Sequence, residues 1–252
     1  MNNTILYVEG VTVDFDGFKA LHNLNFMMAE GELRVVIGPN GAGKTTLLDV
    51  ICGKVRPTSG RVVFKEYTDL TPLKEEAISN LGIGRKFQTP SVYTRLTVFE
   101  NLDLSLKREK GVWQAIFNRI NPNQKEKIET TLETIGLIDK REMIAGSLSH
   151  GEKQWLEIGM VMVQEPAILL VDEPVAGMTD SETDKTGQLL QAISKERSVL
   201  VIEHDMAFVR QIAKKVTVLN EGTVLFEGTI DEVQNHPEVV EVYLGREKKT
   251  HA

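Results

Sequence analysis

Residues 33–53 read LRVVIGPNGAGKTTLLDVICG. The first five, Leu33 to Ile37, are the short apolar run that a strand buried on both faces shows. The last nine, TTLLDVICG, read as a helix closed by Gly53. Between them Gly38, Pro39, Asn40, Gly41, Ala42, Gly43, Lys44 and Thr45 satisfy G-x-x-x-x-G-K-[ST], in the strand–loop–helix setting the motif requires. The glycines let the backbone curl until its N–H groups converge on phosphate oxygens. Lys44 is expected to reach the β- and γ-phosphates, and the Thr45 hydroxyl to take Mg²⁺. The bland alternative, a Gly-rich turn carrying one exposed Lys, does not account for a strand before it and a helix after it.

On the N-terminal side, ILYVEGVTVDF and LHNLNFMM are β-rich runs broken by Gly and Asp. On the C-terminal side, PTSG marks a turn and RVVF another strand. From TRLTVFENLDLSLK onward the pattern becomes helical. In QKEKIETTLETIGL the apolar Ile128, Leu132 and Ile135 recur at i, i+4 and i+7, one buried stripe with charges opposite. AILLVDEP and SVLVIEHD return to buried-type strands, and VTVLNEGTVLFEG reads as a hairpin with Asn-Glu-Gly at its tip. The layout is an α/β core interrupted by a helical insertion at roughly residues 90 to 160.

Composition narrows the class. The 252 residues suit one large domain or a domain with a subdomain. A net charge of −7 disfavours a nucleic-acid partner held by its phosphates. The single cysteine, Cys52, rules out an internal disulfide and fits a reducing compartment. No apolar run approaches the ~18 residues that span a bilayer, and MNNTILYVEG is not a signal peptide. A cytoplasmic protein that meets a membrane only through a partner is expected.

Further residues carry chemistry. Asp172 and Glu173 end the strand of ILLVDEP, and such strand ends face the ligand crevice of an open α/β sheet. Asp172 is expected to hold Mg²⁺, and Glu173 to orient or deprotonate the attacking water. His204 ends VLVIEHD, where a neutral imidazole can donate to a γ-phosphate oxygen; a satisfied loop histidine is the alternative. Gln88, in RKFQTP, stands where strand gives way to helical insertion and can reach Mg²⁺ or water with its carbonyl. In SLSHGEKQWLEIG, Ser149 and Glu152 have the spacing of a capping box, yet the same helix start would point free N–H groups at an anion. Both readings hold together if Glu152 folds back onto the Ser149 N–H, turned from a nucleotide it would otherwise repel. The cap is therefore expected in the absence of nucleotide.

Taken in order, the phosphate loop, Gln88, LSHGE, LLVDEP and His204 resemble the ATPase subunits of ATP-binding cassette (ABC) transporters, over nearly the whole chain. The resemblance implies an α/β fold: a RecA-like P-loop core with an antiparallel β subdomain (residues 1–90 and 160–245), a helical subdomain (91–159) and a polar tail (246–252). It implies two subunits dimerising head to tail, each ATP lying between the phosphate loop of one and the signature of the other. Gly38 to Thr46 match the phosphate loop, with Lys44 and Thr45 as above. Gln88 matches the Q-loop glutamine, Asp172 the Mg²⁺ aspartate, Glu173 the catalytic glutamate and His204 the switch histidine. Ser149 and Gly151 match signature positions that meet the γ-phosphate across the dimer. Phe15, in VDFDG, matches the aromatic that stacks on adenine; a plain core Phe is the alternative.

Two departures stand out. His150 and Glu152 replace the Gly and Gln of the signature, and Thr179, in PVAGMTD, replaces the Asp that couples the two sites. FQTPSVYTRLTVFENL, VIEHDM and HPEVVEVYLG add to a resemblance to the branched-chain amino acid and urea uptake group. LSHGEKQWLEIGM with PVAGMTD is most similar to ATPase subunits of urea importers. The implied partners are permease subunits, a second homologous ATPase subunit and, indirectly, an extracytoplasmic solute-binding protein. The implied place is the cytoplasmic side of the inner membrane, held peripherally. Branched-chain amino acid or short-amide import is the alternative. So is a soluble ABC ATPase without a permease, and, outside the family, a small-molecule kinase using the same loop.

Overall fold

The computed structural model describes residues 3–86, 91–106 and 121–247. β1 (Thr4–Phe15), β2 (Phe18–Ala29), β4 (Ser59–Phe64) and β5 (Thr68–Asp69) form an antiparallel sheet in the order β2-β1-β4-β5. β3 (Leu33–Ile37), β6 (Ile83–Lys86), β7 (Ile168–Asp172), β8 (Ser198–Ile202), β9 (Lys215–Asn220) and β10 (Thr223–Gly228) form a second sheet, ordered β10-β9-β3-β8-β7-β6. Its pairs are parallel except the β9–β10 hairpin. The helices described are α1 (Lys44–Ile51), α2 (Glu75–Leu81), α3 (Val98–Ser105), α4 (Pro122–Thr134), α5 (His150–Met162), α6 (Asp180–Ile193), α7 (Met206–Ile212), α8 (Ile230–Asn235) and α9 (Pro237–Glu247). None is long and apolar enough to cross a membrane.

Gly10 does not break the first strand. β1 runs through it with a register shift between Val8 and Val11, and the Gly10 N–H donates to Asn25 Oδ1 at 3.0 Å. The glycine, at φ 59°, is a bulge that bends the sheet.

The second sheet is buried on both faces, as its unbroken apolar strands require. Val35, Ile37, Leu169, Val171, Val199 and Val201 pack on one side with helices α3 to α7. Val36, Ile168, Leu170, Leu200 and Ile202 pack on the other with α1 and the inner face of the antiparallel sheet. Among the described residues, the insertion carries no separate core. Ile128 and Leu132 of α4 are fully buried, and with Ile135 they join the cluster that covers the central sheet. Each such side chain contributes about 1.5–3 kcal/mol on leaving water.

Several charged side chains are buried, and one of them ties the two sheets together. Arg34, 1% exposed on β3, donates to Glu32 Oε1 at 2.5 Å, Glu227 Oε1 at 2.6 Å, Thr217 Oγ1 at 2.7 Å and Met27 O at 3.2 Å. A guanidinium with its donors matched this way is tolerated where a lone charge is not, and it joins β2 of one sheet to β3, β9 and β10 of the other.

The topology sets the site. β3, β8, β7 and β6 are parallel neighbours, so their carboxyl ends fall side by side along one edge. The segments that follow them begin at Gly38, Glu203, Glu173 and residue 87.

Candidate functional site: a nucleotide-binding edge

The phosphate loop leaves β3 and opens α1. Asn40, Gly41 and Thr45 are exposed, while Pro39, Gly43 and Thr46 are half-buried. Gly43 precedes the helix at φ 97°, and a Cβ there would lie 2.5 Å from Ala20 O and 2.7 Å from Leu21 Cδ2. Only glycine fits. The start of α1 has neither a side-chain cap nor an acidic residue in its first turn. An uncapped helix start without a nearby acidic side chain is where an anion binds. Lys44 folds back over the loop and donates from Nζ to Gly38 O at 2.6 Å and Pro39 O at 3.1 Å. From behind, the β9–β10 tip braces the loop. The Gly222 N–H donates to Ala42 O at 3.1 Å, and the His22 N–H donates to Gly222 O at 2.9 Å.

Asp172, the last residue of β7, is 2% exposed. Its Oδ2 lies 3.7 Å from Arg85 Nη2, and its Oδ1 has no hydrogen-bond partner among the described residues. Burial pushes this carboxyl above the usual range, Arg85 opposes the shift, and the charges of Glu173 and Asp49 add to it. A buried carboxylate oxygen without a partner, in a chain that also presents the exposed Thr45 hydroxyl, suits a hard cation such as Mg²⁺.

Glu173 follows in the left-handed region at φ 46°, the kind of strained backbone that persists where the surroundings impose it. Its N–H donates to Ile202 O at 3.0 Å, and its Oε1 lies 3.7 Å from His204 Nδ1. The His204 side chain is mostly exposed. Glu203, 1% exposed, holds this corner together. Its Oε2 accepts from the N–H groups of His204 at 2.7 Å and Asp205 at 3.1 Å, and its Oε1 from that of Val175 at 3.5 Å. Sequence reasoning passes over Glu203; its one signal is an acidic residue between a buried, mostly apolar strand and a histidine. An open cleft of about 640 Å³ adjoins His204 and Ala176, away from the phosphate loop.

Phe15 ends β1 and is 49% exposed, so it is no core residue. It pairs across a two-residue turn with Phe18, 64% exposed. Gln88 lies outside the described residues; β6 ends at Lys86.

At the signature, the expected capping box is present. The Glu152 N–H donates to Ser149 Oγ at 3.2 Å, and the Ser149 N–H donates to Glu152 Oε2 at 3.1 Å. Glu152 Oε1 accepts from Lys140 Nζ at 2.5 Å. Burial alone would raise the Glu152 pKa; Lys140 and the Ser149 N–H hold it below the usual range instead. Sequence reasoning did not find the second carboxylate here. Ser149 Oγ donates to Glu182 Oε1 at 2.9 Å, and a Cβ on Gly151 would lie 2.5 Å from that oxygen. Glu182 Oε2 closes the capping box of α6, accepting from the Thr179 N–H at 3.1 Å and Oγ1 at 3.0 Å. These bonds, to Thr179 first and then Ser149, hold Glu182 below the usual carboxylate range. His150 Nε2 meets Ala176 O at 3.1 Å. Ser149, His150 and Gly151 thus contact α6 and the loop before it, rather than the phosphate loop of their own chain.

Comparison with known proteins decides the family. The family described as ABC transporter matches residues 21–176, more than half of the chain. The chain belongs to the ABC transporter ATP-binding family. A second family, described as branched-chain amino acid ATP-binding cassette transporter, matches residues 223–249 of the cassette. The cassette is 34% identical to the high-affinity branched-chain amino acid transport ATP-binding protein LivG of Salmonella typhimurium, covering 97% of this chain and 99% of that one. It is also 34% identical to the probable LivG of Archaeoglobus fulgidus, over 96% and 95%. Among solved structures, a nucleotide-free ATP-binding cassette from an ABC transporter aligns with a TM-score of 0.83 at 30% identity, covering 95% of this chain and 98% of that one. The ADP conformation of another cassette aligns at 0.84 and 31%, covering 96% and 99%. The cassette therefore falls in the branched-chain amino acid group of ABC ATP-binding subunits.

Proposed function

We propose that the cassette is the ATP-hydrolysing motor subunit of an importer, working as half of a head-to-tail pair with a second, homologous ATPase subunit. The observation that carries this reading is the division of the site. Lys44, Thr45, Asp172, Glu173 and His204 lie at neighbouring strand ends of one sheet, whereas Ser149 and Gly151 sit on α5 against α6. A cassette in which phosphate loop and signature do not meet needs a partner's signature to enclose ATP.

In this reading the loop amides of Gly38 to Thr46 and Lys44 hold the phosphates, and Phe15 stacks on adenine. Mg²⁺ held by Thr45, Asp172 and Gln88 would neutralise charge developing on the β- and γ-phosphates. Glu173 orients the water and takes its proton as the water attacks the γ-phosphate in line; His204 donates to a γ-phosphate oxygen. Ser149 and Gly151 close the cage from the partner, and binding energy at the phosphates shifts an open–closed equilibrium. The insertion exposes the apolar side chains of Tyr93, Leu104, Met143 and Ile144, and in this reading it meets membrane permease subunits on the cytoplasmic side.

For the solute, branched-chain amino acids are supported by the relatives' names and by the match at residues 223–249. Urea is the second reading, favoured by LSHGEKQWLEIGM and PVAGMTD alone. A deletion strain tests both, since the cytoplasmic subunit need not touch the solute. Loss of leucine uptake with normal urea uptake supports the first and sinks the second, and the reverse result exchanges them. If neither falls and the protein purifies without permeases, the soluble, permease-free alternative takes over. A nucleoside or sugar acceptor that drew off the γ-phosphate would favour a kinase.

A further inference from the structure

β6 pairs with β7 so that Arg85 lies opposite Leu170, and Leu170 and Asp172 share a face of the sheet, the one covered by α1. The Arg85 side chain, 6% exposed, runs along that face. Its Nη1 donates to Asp49 Oδ1 at 2.5 Å and to Cys52 Sγ at 3.1 Å, on and just past the helix that the phosphate loop opens. Its Nη2 lies 3.7 Å from Asp172 Oδ2. One planar guanidinium therefore spans the phosphate-loop helix and the carboxylate at the end of β7. Asp172 Oδ2 makes this ion-pair contact, and Oδ1 is buried with no hydrogen-bond partner among the described residues.

We propose that Arg85 is a positioning residue for metal binding: anchored on α1 by Asp49, it fixes the Asp172 carboxylate so that Oδ1 is presented to Mg²⁺ in register with the phosphate loop. This rests on the reading of Asp172 as the Mg²⁺ carboxylate. In this role Arg85 acts on the metal through Asp172. The fork geometry matters, because a guanidinium reaches two carboxylates and the thiol from one rigid plane, and an ammonium is a single point charge. Groups that orient a metal ligand in this way typically contribute 10–100-fold to metal affinity.

The test measures binding rather than turnover. A fluorescent ATP analogue is titrated onto the purified full chain in EDTA, and then with rising Mg²⁺, for wild type, Arg85→Gln, Arg85→Lys, Asp49→Asn and Asp172→Asn. For Arg85→Gln the Mg²⁺ giving half the binding increment should rise about 10-fold, while binding in EDTA stays within about twofold. Arg85→Lys should recover only part of the loss. Asp49→Asn, which keeps the guanidinium but loosens its anchor, should shift in the same direction by less. An unchanged Mg²⁺ midpoint in Arg85→Gln overturns the proposal. So does a parallel fall in EDTA binding, which marks a general structural role. If Arg85→Gln does not fold, an unchanged midpoint in Asp49→Asn overturns it instead. Asp172→Asn separates the layers. If it loses the increment while Arg85→Gln keeps it, only the role of Arg85 falls. If it binds Mg²⁺ like wild type, the Asp172 reading falls and takes this one with it.

Discussion

Ser149 Oγ and Glu182 Oε1 are 2.9 Å apart, so the hydroxyl assigned to a partner's γ-phosphate is already held by a carboxylate of its own chain. The same carboxylate caps α6 through Thr179. One acidic group thus joins the signature helix to the helix that follows Glu173. Glu182→Ala should remove the carboxylate half of the α6 capping box and the link to Ser149 together, while the Glu182 N–H still donates to Thr179, at a cost of about 1–2 kcal/mol of stability. A denaturant melt measures this, and an unchanged midpoint would show that the carboxylate holds nothing.

Glu152 and Glu182 are both held below the ordinary carboxylate range. A group whose folded pKa is depressed adds stability that is fully present above its unfolded value, about 4.3 for Glu. That stability is lost as pH falls through the folded value. Unfolding midpoints should therefore drop on acidification below about pH 4.3. Glu152→Gln, which cannot titrate or pair ionically with Lys140, should show a flatter fall over that window. Parallel pH curves for the two proteins would remove Glu152 from the acid response.

Glu173 stands 3.7 Å from His204 in a strained backbone conformation. Glu173→Gln should preserve ATP binding and lower kcat by about 10²–10⁴-fold, the usual worth of a general base. Steady-state hydrolysis alongside equilibrium nucleotide binding reads both. Turnover near the wild-type rate would take the base role from Glu173.

Phe15 presents a half-exposed ring at the turn between β1 and β2. If it stacks on adenine, Phe15→Ala should weaken ATP binding by about 1–3 kcal/mol. Phe15→Trp should retain it. Calorimetry with ATP decides: equal affinity for wild type and Phe15→Ala would return the base-stacking role to another residue, Phe18 being the neighbour to try first.

Much of the chain was legible because its signals are local. The phosphate loop announces itself by a fixed spacing of glycines between a strand and a helix, and Gly43 shows why: a side chain there would strike Ala20. The capping box of Ser149 and Glu152 closes over three residues, and the apolar stripe of Ile128, Leu132 and Ile135 closes over seven, so neither needs the rest of the molecule to be read. The bulge at Gly10 was misread as a break, because only the partner strand reveals that the ladder resumes.

The amino-acid sequence by itself determined the α/β class and the strand–loop–helix form of the phosphate loop, and it marked the candidate residues for chemistry, since each is a pattern local to one or two turns. Tertiary structure alone decided which groups hold those residues in place. Arg85 reaches Asp172 across neighbouring strands, and Asp49 across the sheet-to-helix gap. Glu203 joins the loops after β7 and β8. Glu182 reaches Ser149 from thirty-three residues away. A charged side chain carries no spacing rule for a partner that distant. Its role follows only when folding has buried it, and burial makes an unpaired charge too costly to leave alone.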